Sequence, residues 1–336
     1  MAYGTVNADV IGTSVAGSNL GAGDASLMKN RIINGAMVID QRNAGASVTN
    51  ISGGVYCVDR WKAYGSVASK YTVQQNAGSV TKPLGFPNYL GVTSSSAYSV
   101  AAGDIFVIQQ LIEAYNVSDL GWGTANAKTV TLSFQVYSSL TGTFGGSINN
   151  DTGSRSYPFS YSIPVANTWT AISVTIAGDT TGTWNNNNNS ASITLSLGLG
   201  VGSTYSGTAG SWGSTTYYSS TSATSVVGTN GATFYITGVQ LEVGSIATGF
   251  EYRQYQQELA LCQRYYAKLN ALATTGSPAV SISFPTIMRT SPTNTVTFDG
   301  GTGATYANLG TLANALFQNA SHSAFNTATI SLSAEF

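Results

Sequence analysis

Charge is what this 336-residue chain has least of. Asp, Glu, Lys and Arg together make up 8% of it, against about 25% in an ordinary soluble domain. Glycine, serine, threonine and asparagine stand in their place, so the surface is solvated by neutral hydroxyls and amides. That is a poor match to a metabolic enzyme. The net charge is −1 and the basic residues are scattered singly, with no run that neutralises several phosphates together, which argues against nucleic-acid binding. A single histidine excludes a multi-histidine metal centre. The two cysteines, Cys57 and Cys262, lie far apart in the chain and read as free, buried thiols rather than a disulfide. No apolar run reaches the ~18 residues of a membrane-spanning helix, and Met1 is not followed by a charged-then-apolar signal. The expectation is a protein assembled in the cytoplasm and released by cell lysis, with no cofactor.

What is present is alternation. From Arg31 to about Phe250 the chain reads as all-β. Residues 128–140 place Val130, Leu132, Phe134 and Val136 on one face, and residues 191–201 do the same with Ile193, Leu195, Leu197 and Leu199. Residues 168–178 give Trp169, Ile172, Val174 and Ile176 on one side if one register shift is allowed. On that reading Trp169 is a core residue, as are Trp61 and Trp184. The apolar run 104–117 is expected to be a strand pair or a bulged strand. Gly, Asn and Asp-Thr clusters supply the turns. Strands at this spacing, without helical patterns between them, predict an antiparallel two-sheet sandwich of jelly-roll topology. No repeat of 20–50 residues is present, which disfavours a β-helix or a propeller.

Composition divides the chain further. Residues 1–30 are small and aperiodic and cannot bury enough apolar area to fold alone. They are expected to dock, extended, on a neighbouring subunit or particle, or to pack on their own domain. Residues 31–253 form the sandwich. Tyr255, Leu259, Cys262, Tyr266 and Leu269 follow at steps of four, three, four and three, which predicts one helical stripe over residues 254–270, with Glu258, Arg264 and Lys268 as solvated charges beside it. Residues 271–336 form a small β-unit with strands near 280–285, 294–301 and 328–336.

Little here does chemistry. His322 sits in a Ser/Asn-rich loop, and no nucleophile elbow precedes a helix. Asp40, Asp59 and Glu113 lie beside arginine, tryptophan or apolar residues, where an ion pair or a turn is the natural role. Asp104 and Asp179 read as turn acids capping backbone amides; a calcium held between them is left open. No catalytic or metal-binding set is expected. Sugar binding needs less: aromatic faces with amides and hydroxyls nearby. Residues 205–220 offer Tyr205, Trp212, Tyr217 and Tyr218 among small polar residues, and Asn187 lies in the asparagine run Asn185–Asn189. The same aromatics would equally anchor a long loop or meet a sister subunit.

Four blocks carry a likeness to a known family: NRIINGAMVIDQRNAG (30–45) with VYCVDRW (55–61); KTVTLSFQVYSS with TWTAISVTIAGDTTGTW (168–184); ITGVQLEVGSIATGFEYRQYQQELALCQRYY (236–266); and ISFPTIMRTSPTNTVTF (282–298). They resemble bacteriophage tail-fibre and receptor-binding virion proteins, with a sandwich of the carbohydrate-binding-module type. The resemblance implies a homotrimer on the virion whose sandwich contacts host-surface glycans and whose residues 1–30 join other virion proteins. That segment is short for the family, which leaves tail, baseplate or capsid open. The helix stripe has two readings, packing across the sandwich of its own chain or meeting its copies at a threefold axis; a mixed role is expected, with Tyr255 and Tyr266 on the β-domain and Leu259 and Leu269 nearer the axis. A non-binding decoration or collar protein, and a glycan-cleaving depolymerase, are the alternatives.

Overall fold

The structure, a computed structural model, describes residues 29–273, 279–298, 314–318 and 326–336. The expectations for residues 1–28 and for His322 lie outside them. The alternating, β-branched and aromatic segments form β1 (Gly53–Val58), β2 (Trp61–Gly65), β3 (Tyr71–Gln75), β4 (Leu90–Ser94), β5 (Ile105–Glu113), β6 (Val130–Ser138), β7 (Gly142–Asn150), β8 (Ser156–Ile163), β9 (Thr170–Ile176) and β10 (Ala191–Val201). Two short pieces, β11 (Ser206–Gly207) and β12 (Ser219–Ser220), precede the long β13 (Thr233–Val243). One sheet runs β1-β2-β5-β10-β7-β8 and the other β3-β4-β13-β6-β9, every pairing within them antiparallel. Apart from the hairpin β7–β8, the chain changes sheets at each step from β4 to β10, so strands such as β5 and β10 or β4 and β13 are neighbours in space but distant in sequence. This is an antiparallel jelly-roll sandwich.

Side-chain parity builds the core. Leu195, Leu197 and Leu199 of β10 face Leu132, Phe134 and Val136 of β6 across the interior, each buried aliphatic side chain contributing roughly 2 kcal/mol of transfer free energy. Trp61 and Trp184 join this core. Trp169 does not. The register of β9 against β6 is unbroken from Thr170 to Ile176, so the inward residues are Ile172, Val174 and Ile176, and odd-numbered Trp169 emerges on the outer face. There its indole meets Tyr89 and Tyr137 and donates to the Thr81 carbonyl.

A bulge shapes β13. Its pairing with β6 slips between Thr237 and Gln240, and Gly238 takes φ of +63° there, a conformation that favours glycine. The slip moves the inward parity from Phe234 and Ile236 to Val239 and Leu241. Beyond it the Asn30–Gly35 segment becomes the neighbour of β13: Arg31 donates to the Leu241 carbonyl and Val239 to the Gly35 carbonyl.

The helix is shorter than the heptad-like spacing predicts. α1 covers Tyr255–Gln263, and the amide of Tyr265 bonds back to the Cys262 carbonyl, ending the turn. Tyr266 and Leu269 instead belong to β14 (Tyr266–Ala273), which pairs along its whole length with β18 (Asn326–Ser333). A long-range ladder has overridden local helical spacing. Leu259 and Cys262 lie against Ile33, Ile39 and Tyr265, and Leu269 against the C-terminal cluster of Phe284, Met288, Ile330 and Leu332. Tyr255 is 59% exposed rather than seated on the sandwich. Glu258 and Arg264 are not solvated charges: Glu258 is buried and accepts from the Asn34 amide, and Arg264 forks onto buried Glu113.

The C-terminal strands β15 (Ala279–Ser283), β16 (Thr293–Phe298) and β17 (Asn314–Gln318) complete the description, with β18 central to the sheet β14-β18-β16 and β15 paired with β17. This unit meets the sandwich through polar clasps. Arg60, 1% exposed, pairs with Glu335 and lies 3.6 Å over the Tyr265 ring. Arg42 also pairs with Glu335 at 2.9 Å. Arg289 donates to the Asn189 and Ala334 carbonyls. Cys57 and Cys262 are free and buried; burial pushes the Cys57 thiol up to about 12, away from reactivity.

Candidate functional site

Each strand of the six-stranded sheet presents a second row of side chains on its outer face. β2 sends Lys62 and Tyr64 outward while Trp61 and Ala63 enter the core. β5 sends Gln109 and Leu111 outward, β10 sends Thr194 and β7 sends Asn149. Together with Asn150, Asp151, Thr216 and Tyr218 they line a groove of about 260 Å³. The chain between β10 and β13 forms its far wall, and that strap lies on the sheet because two strand positions carry no side chain. A β-carbon on Gly145 would collide with the Ser219 and Ser220 hydroxyls, and one on Gly198 would stand 2.7 Å from Ser219 Oγ. Further bonds fix the strap: Ser156 Oγ donates to the Thr215 carbonyl at 2.5 Å, the Asn149 amide to the Tyr217 carbonyl at 2.8 Å, and the Tyr218 amide to the Tyr205 carbonyl at 2.8 Å.

The groove's electrostatics are sparse. Lys62 stretches its stem across Gly54, where any side chain would clash, and among the described residues it has no carboxylate partner. Asp151 is the only acid of the lining. Its pKa is raised, chiefly by burial, with the Asn185 amide partly offsetting this. The Tyr218 hydroxyl is likewise held above its ordinary value by burial and by the neighbouring Tyr64 and Tyr205. Cleaving a glycosidic bond takes two carboxylates flanking the sugar, and this groove has one. Among the described residues the other acids are engaged elsewhere. Asp179 accepts a two-pronged fork from Arg155 at 2.7 Å. Asp104 accepts from the Ala101 amide, Ser66 and Tyr98, and Asp40 caps the amides of Asn43 and Gly45. Asp104 and Asp179 thus serve separate turns with ligands from the protein itself. Among the described residues no cluster of three or more His, Cys, Asp or Glu is arranged for a metal ion, and no helix is long and apolar enough to cross a membrane.

Of the residues singled out in the sequence, Tyr218 lines the groove and Tyr205 touches its ring edge-on at 5.8 Å. Tyr217 packs on Gly207. Trp212 is elsewhere. Its ring meets Trp122 at 5.3 Å and Trp184 at 5.5 Å, both edge-on, and its indole donates to the Ala177 carbonyl, so it fastens the strap to the sandwich. Asn187 is exposed; from the same run, Asn185 reaches Asp151 at the groove rim and Asn189 turns to Arg289. The sequence reading missed Lys62, Tyr64, Gln109, Asn149 and Thr194. The only local signal was Gln109, a polar residue at an outward place within the apolar run 105–112.

No family model matches this chain, and no curated protein matches it. Solved structures do, at low identity. The enzymatically active domain of bacteriophage CBA120 tailspike protein 4 is 15% identical over 64% of this chain, with a TM-score of 0.35; the match spans about a fifth (21%) of that structure's length. A structure described as a CBM4 matches at 16% identity, covering 63% of this chain and 98% of its own, with a TM-score of 0.31. A family 11 carbohydrate-binding module from Clostridium thermocellum, in complex with a mixed-linked β-1,3-1,4 tetrasaccharide, matches at 10% identity over 61% of this chain and 100% of its own, with a TM-score of 0.30.

Proposed function

We propose that this chain is a binding protein that holds polysaccharide in the groove between Lys62 and Tyr218, and that it works as a fibre-type component of a phage virion. The lining of that groove carries the first part. Tyr64 and Tyr218 offer ring faces for the apolar side of a pyranose, while Gln109, Asn149, Asn150, Thr194 and Thr216 offer amides and hydroxyls for its edges. One carboxylate without a partner acid supports retention without cleavage. The virion reading is supported by the resemblance of residues 30–45, 55–61, 236–266 and 282–298 to tail-fibre proteins and by the scarcity of charge in the sequence. On this reading residues 1–30 attach to tail, baseplate or capsid, the sandwich of residues 31–253 meets host-surface glycan, and residues 271–336 form a terminal unit. The assembly is a homotrimer made in the host cytoplasm.

The test incubates the purified protein with polysaccharide from the host surface. Retention without cleavage supports the reading, released oligosaccharide makes the protein a depolymerase, and neither makes it a decoration or collar protein. Tyr218→Ala should weaken retention at least tenfold.

A further inference from the structure

A second groove lies on the opposite side of the sandwich, against the outer face of the five-stranded sheet, and encloses about 380 Å³. Three mutually packed rings form one wall: Phe86, Phe250 and Tyr252, with centroids 5.0–5.6 Å apart. Tyr252 is 60% exposed. Phe86 is seated on the bulge in β13, where a β-carbon on Gly238 would come within 2.6 Å of its ring. The floor is polar. Ser133 of β6 and Ser173 of β9 stand directly opposite each other, with Gln135 in the next outward place on β6. None of these three side chains has a hydrogen-bond partner among the described residues, so all are free for a guest.

The rim is fixed before any guest arrives. The loop after β13 is held by the Thr131 and Thr175 hydroxyls, which donate to the Gly244 and Ser245 carbonyls at 2.8 and 2.9 Å. The Thr248 and Glu251 amides donate back to the side chains of Glu242 and Gln240, each at 2.8 Å. A preformed site loses little freedom on binding. Its chemistry differs from the first groove in one respect: no lining residue carries a charged side chain. The nearest charges, Lys29 and Glu242, stand behind the rim and are bonded to Thr248 and Gly249 there, and a purely apolar guest would strip water from the two serines and the glutamine without replacing it.

We infer that this groove is a second carbohydrate site, selective for neutral sugars: a pyranose ring lies against Tyr252 and Phe86 and its hydroxyls exchange hydrogen bonds with Ser133, Gln135 and Ser173. The site is separate from the groove of the proposed function and stands or falls apart from it.

Affinity electrophoresis of the full chain tests it, in gels cast with barley mixed-linkage β-glucan, xylan or β-1,4-galactan. A Tyr218→Ala background weakens the first groove. In that background at least one of these neutral polysaccharides should still retard the protein. Adding Tyr252→Ala or, separately, Gln135→Ala should weaken retardation tenfold or more, with the melting temperature moved by less than 2 °C. The Gln135 side chain has no hydrogen-bond partner among the described residues, so its variant keeps the test sound even if Tyr252→Ala misfolds. The inference is overturned if none of the three polysaccharides retards the Tyr218→Ala protein, or if retardation is unchanged by both second-site variants. It is equally overturned if Tyr252→Ala lowers the sedimentation mass, because the rings would then be packing against another copy of the chain.

Discussion

Tyr218 and Trp212 sit six residues apart on one strap and serve different ends. Trp212 completes a ring cluster with Trp122 and Trp184, and truncating a packed aromatic of this kind costs about 3 kcal/mol. Trp212→Ala should therefore lower the urea midpoint, whereas Tyr218→Ala should leave it nearly in place while binding falls; the reverse pattern would exchange their roles. Asp59 makes a second residue-scale case. It is fully buried, and burial pushes its carboxyl up to about 7 against the opposing pull of Gln41 and Arg42. Between the ordinary carboxylate value near 4 and that raised value, the folded chain binds the Asp59 proton more tightly than the unfolded chain does. Its contribution to stability is therefore largest at low pH, declines through that window and is level above it. Asp59→Asn removes the ionisation, so the variant should gain on the parent as pH rises, by up to about 4 kcal/mol at pH 8. Melting curves at pH 4.5 and pH 8 decide this, and parallel shifts in the two proteins would refute it.

Among the elements, the junction after α1 depends most on a single side chain. Glu113, at the end of β5, accepts both prongs of Arg264 and the hydroxyl of Tyr265 at 2.6 Å, tying the turn that leads into β14 to the sandwich. Glu113→Ala leaves a guanidinium and a buried hydroxyl without their acceptor, a loss of roughly 3 kcal/mol. The amides of α1 should then exchange with deuterium faster than those of β10; unchanged protection in α1 would show that the junction is held by its apolar contacts instead. This element also shows where sequence reading stops. Spacing of three and four fits a helix, but alternate residues of the same stretch also fit a strand, and Ala267 and Leu269 were available to both. Only the ladder to Asn326–Ser333 decides between them, and that partner lies some sixty residues downstream. Trp169 failed differently: a register shift was allowed where the strand has none, and one place in parity separates interior from surface.

At the scale of the molecule, the sandwich was legible because burial on one face writes a period of two into the sequence, as in Leu132, Phe134 and Val136. The first groove was only half legible. Tyr205 and Tyr218 betrayed themselves as aromatics in a loop without strand period. The floor comes from four strands that the jelly roll makes neighbours, and no local pattern records which outward rows share a sheet. The proposed trimer belongs to this scale too. Sedimentation equilibrium should give a mass close to three times the 34.7 kDa of one chain, and a mass near one chain would remove the proposed threefold axis.

The strap over the six-stranded sheet rests on two bare places, Gly145 and Gly198, and the clearance between wall and floor is set by those missing β-carbons. A β-carbon on Gly145 would press on the Ser219 and Ser220 hydroxyls and the Ser220 backbone amide, and one on Gly198 would press on Ser219 and on the Gly145 carbonyl of the next strand, so Gly145 is the place where a methyl acts on the strap alone. If the groove holds glycan as proposed, one codon at Gly145 would change the size of the guest it admits.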